Sequence, residues 1–281
     1  MRWAVPVLLG PSLAGVAVFD LLPFVEVIRR SFTDAMGRRF VGLANYRTVL
    51  TNEAFQLAAA NTARFLCTCI PLLLALSLGM ALLVRTAGRA SDLFKATYLL
   101  PLAIPVASIV LLWKVLFAEA GLLNTLLGCL GADAVDFMGT GAAFWVLIAT
   151  YLWKNSGYDM ILWLAGLDRI PRTQYEAAAV DGANAWQMFR AITWPGLRPT
   201  LLLTALLSLI NSFKVFREAY LVAGQYPHRS MYLLQHLFNN WFLDLELGRI
   251  TAAAVLVVAG AVAGLTAVLL LRHCLRRKHS R

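Results

Sequence analysis

The sequence predicts an all-α integral membrane protein with about six transmembrane helices and one patterned polar loop. Two compositional facts point there first. Of its 281 residues, 60% are hydrophobic and only 14% charged, whereas a soluble domain carries about 25% charged residues. The mean hydropathy is +0.69. The third fact is run length. A helix needs roughly 20 apolar residues to cross the hydrocarbon layer, and six runs reach it, at about 5–28, 61–84, 96–117, 142–165, 200–222 and 250–271.

Taken in order, the first run resembles a signal peptide in position but exceeds an ordinary apolar core. It carries Pro6, Pro11 and Pro23, and no small-residue cleavage site precedes a soluble domain, so it is expected to be a retained helix. Segment 29–60 reads as a polar connector with an amphipathic piece at 55–60. Residues 85–95 form a short basic loop. The stretch 118–141 is rich in Gly and Leu and holds Asp133 and Asp136. The stretch 223–249 carries Phe238, Trp241 and Phe242, aromatics of the kind found at the lipid–water boundary. The sixth run has no charge between residues 250 and 271. No repeat or low-complexity tract appears, so residues 1–281 read as one transmembrane domain.

The net charge of +10 would suggest nucleic acid in a soluble protein. In a membrane protein its distribution sets orientation, and no nucleic-acid partner is expected. With the N-terminus inside, the inner segments hold Arg2, Arg85, Arg89, Lys95, Arg169, Arg172, Arg190, Arg198 and the tail Arg272, Arg276, Arg277, Lys278 and Arg281. The outer stretch 118–141 has none. Against this, Arg29, Arg30, Arg38, Arg39 and Arg47, near Asp34 and Glu53, fall outside, as do Arg229 and Arg249. Both termini are expected in the cytoplasm. Cys67, Cys69, Cys129 and Cys274 show no metal spacing and read as small packing residues.

The inner segment 166–199 is long for a connection and is patterned. Pro171 stops the preceding helix. Thr173 and Glu176 have the spacing of a capping box, which predicts a helix over 174–180. Asp181 and Gly182 end it, since glycine takes the left-handed conformation without steric cost. A second helix is expected over 183–192, ended by Pro195 and Pro199. Three alanines, Ala177, Ala178 and Ala179, keep the first helix slim enough to enter a groove on a partner.

Here a resemblance appears. Glu176-Ala177-Ala178, then Gly182, Ile192 and Pro195, resembles the EAA signature of ABC importer permeases, and the string EAAAVDGANAWQMFRAITWP is similar to the carbohydrate-uptake branch, of maltose and glycerol-phosphate type. Trp194 stands where leucine is usual. Further likeness lies in Ser31-Phe32-Thr33-Asp34, Phe40-Val41-Gly42-Leu43 with Asn45-Tyr46, Asn61-Thr62, Leu100-Pro101 with Ile104-Pro105, and Trp113-Lys114 with Phe117. It covers nearly the whole chain.

The resemblance implies an ABC importer permease fold in the bacterial plasma (inner) membrane. The loop helix would dock into a cleft on a cytoplasmic ATPase, with Glu176, Ala177, Ala178, Asp181, Gly182, Phe189, Ile192 and Pro195 as coupling residues. The implied partners are a second homologous permease, two ATPase subunits and an extracytoplasmic solute-binding protein. The implied cargo is a sugar or sugar-like solute. The chain would bind no cofactor or metal; ATP and magnesium would be used by the partner ATPase. It lacks the G-x-x-x-x-G-K-[ST] phosphate loop, so it is expected not to be an enzyme.

Ionisable groups inside spans are functional candidates because charge in lipid is costly. Trp153, Lys154, Asn155 and Tyr158 on the fourth run, with Asn211 and Lys214 on the fifth, are candidates to line a translocation path. The alternative is a structural Lys214–Glu218 ion pair plus lysines that snorkel, as Lys114 would. The rival functions are an ABC permease for another small polar solute, a stand-alone secondary transporter and a membrane enzyme. No internal repeat supports the second. For the third, His228, His236, His273 and His279 form no catalytic constellation, and His228 and His236 are expected to be solvated loop or interface residues.

Overall fold

The computed structural model describes the backbone of residues 4–279 and the side chains of residues 9–264 and 266. The expected inner-side residues Arg2, Arg272, Arg276, Arg277, Lys278 and Arg281, with His273, Cys274 and His279, lie outside the described side chains.

Among the described residues the chain is helical, with a lone β-bridge between Thr33 and Phe40. Helices α1 (Ala4–Val16) and α2 (Leu22–Ser31) run on through a π turn at Ala17–Leu21. Next come α3 (Ala44–Thr51) and α4 (Glu53–Thr86). At about 1.5 Å per residue, the 34 residues of α4 make a rod of about 50 Å. It begins well before residue 61, so the expected amphipathic piece at 55–60 is its first turns, with the Asn52 side chain accepting from the Phe55 amide at 2.9 Å.

The third run is broken. It forms α5 (Ser91–Ala103) and α6 (Val106–Phe117) because a residue before proline is driven out of the helical region. Ile104, before Pro105, has ψ 126°. Stretch 118–141 contains a helix that its glycines concealed, α7 (Leu122–Cys129). Asn124 anchors it, donating to the Ala118, Glu119 and Val135 carbonyls and accepting from the Val135 amide. Helix α8 (Ala142–Asp168) has 27 residues. It is followed by α9 (Arg172–Val180) and α10 (Ala185–Met188), a π turn at Phe189–Thr193, then α11 (Trp194–Ser212) and α12 (Val215–Ala223). Last are α13 (Leu234–Leu243) and α14 (Leu247–His279).

Pro195 and Pro199 do not end a helix as expected. Pro195 enters α11 directly after the π turn. A proline ring clashes with the carbonyl four residues back; the wider π turn moves that carbonyl aside. The same device precedes Pro23 in α2.

Among the described residues, five helical stretches are long and apolar enough to cross a membrane: Leu9–Ser31, Glu53–Thr86, Val106–Cys129, Ala185–Ala223 and Leu247–Gly264. The expected fourth span lies in α8, which has the length but carries Lys154, Asn155 and Asp159.

Two compact units form. In the first, residues 1–57 and 237–281, α14 packs on α2 and α3. The Asn45 amide donates to the Ser31 and Thr33 carbonyls, and the Ser31 and Tyr46 hydroxyls bond at 2.6 Å. Asp34 accepts from the Arg38 and Arg39 amides, which holds its carboxyl below the usual range.

In the second unit, residues 58–236, two buried clusters stack along α8. One gathers Phe65, Leu73, Ile109, Trp113, Phe144 and Tyr151; the other gathers Ala81, Val84, Met160, Trp163, Leu167 and Leu197. The Trp163 indole donates to Ser77 Oγ at 3.0 Å. Gly157 lets α5 touch α8: a Cβ there would lie 1.9 Å from the Tyr98 carbonyl oxygen. The Asn61 amide donates to the Arg229 and Tyr232 carbonyls, and Thr62 accepts from the Leu234 amide. These two residues therefore tie α4 to the 229–234 segment rather than start a helix.

Candidate functional site

Along α8 the first cluster ends at Tyr151 and the second resumes at Met160. In that gap lies a cavity of about 310 Å³, at the lower edge of the size range of small-molecule sites. Its wall takes Lys154, Asn155 and Tyr158 from α8 and Asn211 from α11, with Lys214 at the junction and Glu218 from α12. Five of the six path candidates thus share one wall. Trp153 does not. It is 39% exposed and lines a separate apolar cavity with Trp113 and Phe117. Trp153 faces α6, beside Leu112 and Trp113, whereas Lys154 turns toward Glu218 of α12.

The ion pair differs from expectation. Glu218 pairs with Lys154, 64 positions away, not with Lys214. Lys214 instead donates to Asn211 Oδ1 at 2.8 Å. The cause lies at the junction of α11 and α12. There the Lys214 amide bonds the Asn211 carbonyl and the Arg217 amide bonds the Lys214 carbonyl, both spanning three residues. The tighter turn puts the two helices out of phase, and the four-residue spacing no longer aligns Lys214 with Glu218.

Glu218 is only 4% exposed, and its Oε2 is buried with no hydrogen-bond partner among the described residues. A buried acceptor left unmatched is costly and seeks a donor. The wall therefore offers one open carboxylate oxygen, ammonium donors, side-chain amides and the Tyr158 ring. Such groups match a ligand rich in hydroxyls.

Asp159 is a residue that the sequence reading missed. It is 1% exposed and accepts from Ser208 Oγ at 2.6 Å, while Tyr151 donates to the Ser208 carbonyl at 3.0 Å. Its signal was available, since a carboxylate inside a span is a functional candidate by default.

The loop forms two short helices around a glycine turn. The Ala183 amide bonds the Ala178 carbonyl and the Gly182 amide bonds the Ala179 carbonyl, the paired bonds of a Schellman stop. Gly182 has φ +79°. The capping box lies elsewhere than expected. Helix α9 starts at Arg172 with no side-chain cap, whereas Asn184 and Gln187 cap α10 reciprocally. Pro171, already fixed in φ, begins α9 two residues early and leaves Thr173 inside it.

Of the coupling candidates, Glu176, Ala177, Asp181, Gly182 and Pro195 are exposed, and Ala178, Phe189 and Ile192 half-buried. Tyr175 holds α9 down, bonding the Thr193 hydroxyl at 2.8 Å beneath the Arg85 guanidinium. Val180 is 89% exposed, and Trp186, itself 67% exposed, stacks on Phe189.

His236 corrects the expectation of a solvated residue. It is fully buried against Phe216 and Tyr232, and its Nδ1 accepts from the Leu233 amide. Burial pushes its pKa down to about 4. His228 is half-buried, with Nδ1 accepting from the Ser230 amide. Among the described residues, no group of three or more His, Cys, Asp or Glu could hold a metal ion.

Known proteins resemble this chain over most of its length. It is 31% identical over 238 residues to the trehalose/maltose transport system permease protein MalF of Thermococcus litoralis, covering 83% of this chain and 81% of that protein. It is 29% identical to the sulfoquinovosyl glycerol transport system permease protein SmoG of Agrobacterium fabrum, covering 90% and 84%. A solved bacterial alginate ABC transporter, in complex with its alginate pentasaccharide-bound periplasmic protein, has a chain of the same fold: TM-score 0.81, 23% identity, 98% of this chain and 94% of that one. The model of one family, "binding-protein-dependent transport system inner membrane component", matches residues 72–279, and the chain belongs to that family.

Proposed function

We propose that this multi-pass inner-membrane protein is one permease subunit of an ATP-driven importer, carrying a sugar or sugar-like solute. The observation that carries the cargo reading is the cavity wall of Lys154, Asn155, Tyr158, Asn211, Lys214 and Glu218, with its unmatched buried carboxylate oxygen. Sugar hydroxyls donate to such an oxygen and accept from ammonium and amide groups. The relatives named for maltose, trehalose and sulfoquinovosyl glycerol support the same class.

Residues 1–281 act as one transmembrane domain of six spans, with α8 as the fourth and 166–199 as the coupling loop. The loop faces the cytoplasm and both termini lie inside, as the basic residues Arg169, Arg172, Arg190 and Arg198 favour. The exposed face of α9, with Glu176, Ala177 and Val180, docks into an ATPase cleft, and Asp181–Gly182 turns the chain back. Phe189, Ile192 and Pro195 carry the motion into α11, which forms a cavity wall. A second permease faces this one, two ATPases bind below and hydrolyse magnesium-ATP, and a solute-binding protein delivers cargo from outside. The transition is a rigid-body rearrangement that alternates the open side.

The test is co-purification of the detergent-solubilised chain with its ATPase, comparing wild type with Gly182→Trp and Glu176→Lys. The expected result is ATPase retained by the wild type, with hydrolysis stimulated by loaded binding protein, and both lost in Gly182→Trp. Solute movement by the purified chain alone, driven by an ion gradient, would overturn the proposal.

A further inference from the structure

A second polar cavity, of about 340 Å³, lies beside the 166–199 loop. Three cations from three helices line it: Arg85 from the end of α4, Lys95 from α5 and Arg172 from the start of α9. Among the described residues, Asp168 is the one carboxylate on its wall, and Leu164 and Ile170 form a buried apolar floor. Like charges gathered around one space repel unless an anion sits among them.

Little inside the chain supplies that anion. Lys95 reaches only Asp92, whose side chain is 93% exposed, so the pair is solvated and weak. Arg85 lies over the Tyr175 ring at 5.3 Å, which leaves its N–H groups open. Among the described residues, the side chains of Arg172 and Asp168 join no ion pair.

We propose that Arg85, Lys95 and Arg172 form a binding site for the phosphate headgroup of an anionic phospholipid. Basic cavities between membrane helices on the cytoplasmic side are suited to such headgroups. Two neighbours favour a lipid over a free phosphate. Phe94, next to Lys95 on α5, is 42% exposed, and Leu82, one turn before Arg85 on α4, is half-buried; they give acyl chains an apolar surface beside the cations. The consequence is mechanical. Arg172 starts α9 and Arg85 covers Tyr175 of α9, so a bound headgroup ties the loop helix to α4 and α5. The proposal rests on reading 166–199 as an inner-face segment; the binding test below needs neither an ATPase nor transport, so the two readings fail separately.

The experiment is native mass spectrometry of the full chain in detergent, titrated with phosphatidylglycerol, phosphatidylcholine or inorganic phosphate. The wild type should retain phosphatidylglycerol well above phosphatidylcholine. Each charge removed costs about fivefold in affinity, so Arg85→Gln/Lys95→Gln/Arg172→Gln should lose on the order of a hundredfold. Asp168→Asn, which removes the opposing charge, should bind more tightly, and it guards against a triple variant that merely folds poorly. A control, Arg38→Gln/Arg39→Gln/Arg47→Gln, should bind as the wild type does. Equal retention of the two lipids, equal loss in the control, or displacement of the lipid by millimolar inorganic phosphate would each overturn the lipid site. So would unchanged lipid binding in a triple variant that instead loses its ATPase, an outcome that assigns the cations to a protein partner.

Discussion

Glu218→Met, Lys154→Met and the double variant probe the cavity at its most constrained point. The two side chains are 5% and 17% exposed. Breaking a buried pair by removing one partner costs about 3–5 kcal/mol, because the other charge stays desolvated, whereas replacing both by apolar groups is often neutral. Water reaching Lys154 places each single variant near the lower end, about 3 kcal/mol. Additivity would then make the double variant about 6 kcal/mol less stable; the structure predicts about 3 or less, since no orphan charge remains. Reversible unfolding in mixed detergent–SDS micelles measures all three. Transport in proteoliposomes then separates two roles: a purely structural pair leaves the double variant active, whereas a solute-facing Glu218 leaves it stable but inactive. Single variants within about 0.5 kcal/mol of wild type, the range of ordinary surface changes, would refute the buried pair.

Three other outcomes follow from the packing. Gly157→Ala places a methyl 1.9 Å from the Tyr98 carbonyl oxygen, so α5 must move and stability should fall by about 1–3 kcal/mol or more in the same unfolding assay. Ser77→Ala strips the Trp163 indole of its acceptor and should cost about 1–3 kcal/mol, while Ser77→Ala combined with Trp163→Phe should recover part of that loss. His236, whose pKa is pushed down to about 4, stays neutral in the fold while the unfolded chain takes up a proton below about 6.5. Stability should therefore be full above pH 6.5 and fall by about 3 kcal/mol as pH drops to about 4, with the slope reduced in His236→Gln.

Much of the architecture is legible in the residues themselves. Run length and composition alone identify a membrane protein, because no soluble core accommodates six apolar stretches of span length. The glycine stop at Gly182 was legible too, since a helix end that needs positive φ selects glycine locally. Local rules failed where two of them competed. Thr173 and Glu176 have capping-box spacing, yet Pro171 starts α9 earlier and the box forms at Asn184 and Gln187. Pro195 reads as a helix breaker, yet a π turn carries the helix through it.

What the sequence by itself determined is therefore chemical inventory and local form: apolar spans, a slim loop helix, and lysines and amides at mid-span. What only the tertiary structure decided is which of these meet. Lys154 finds Glu218 across 64 residues because the three-residue turn at Lys214 shifts the phase of α12. For the same kind of reason Trp153 looks away from the cavity, and Asp159 and His236 are buried beneath neighbours distant in sequence. Periodicity gives the face of a straight helix; a break resets that face, and only packing against other helices says what it then touches.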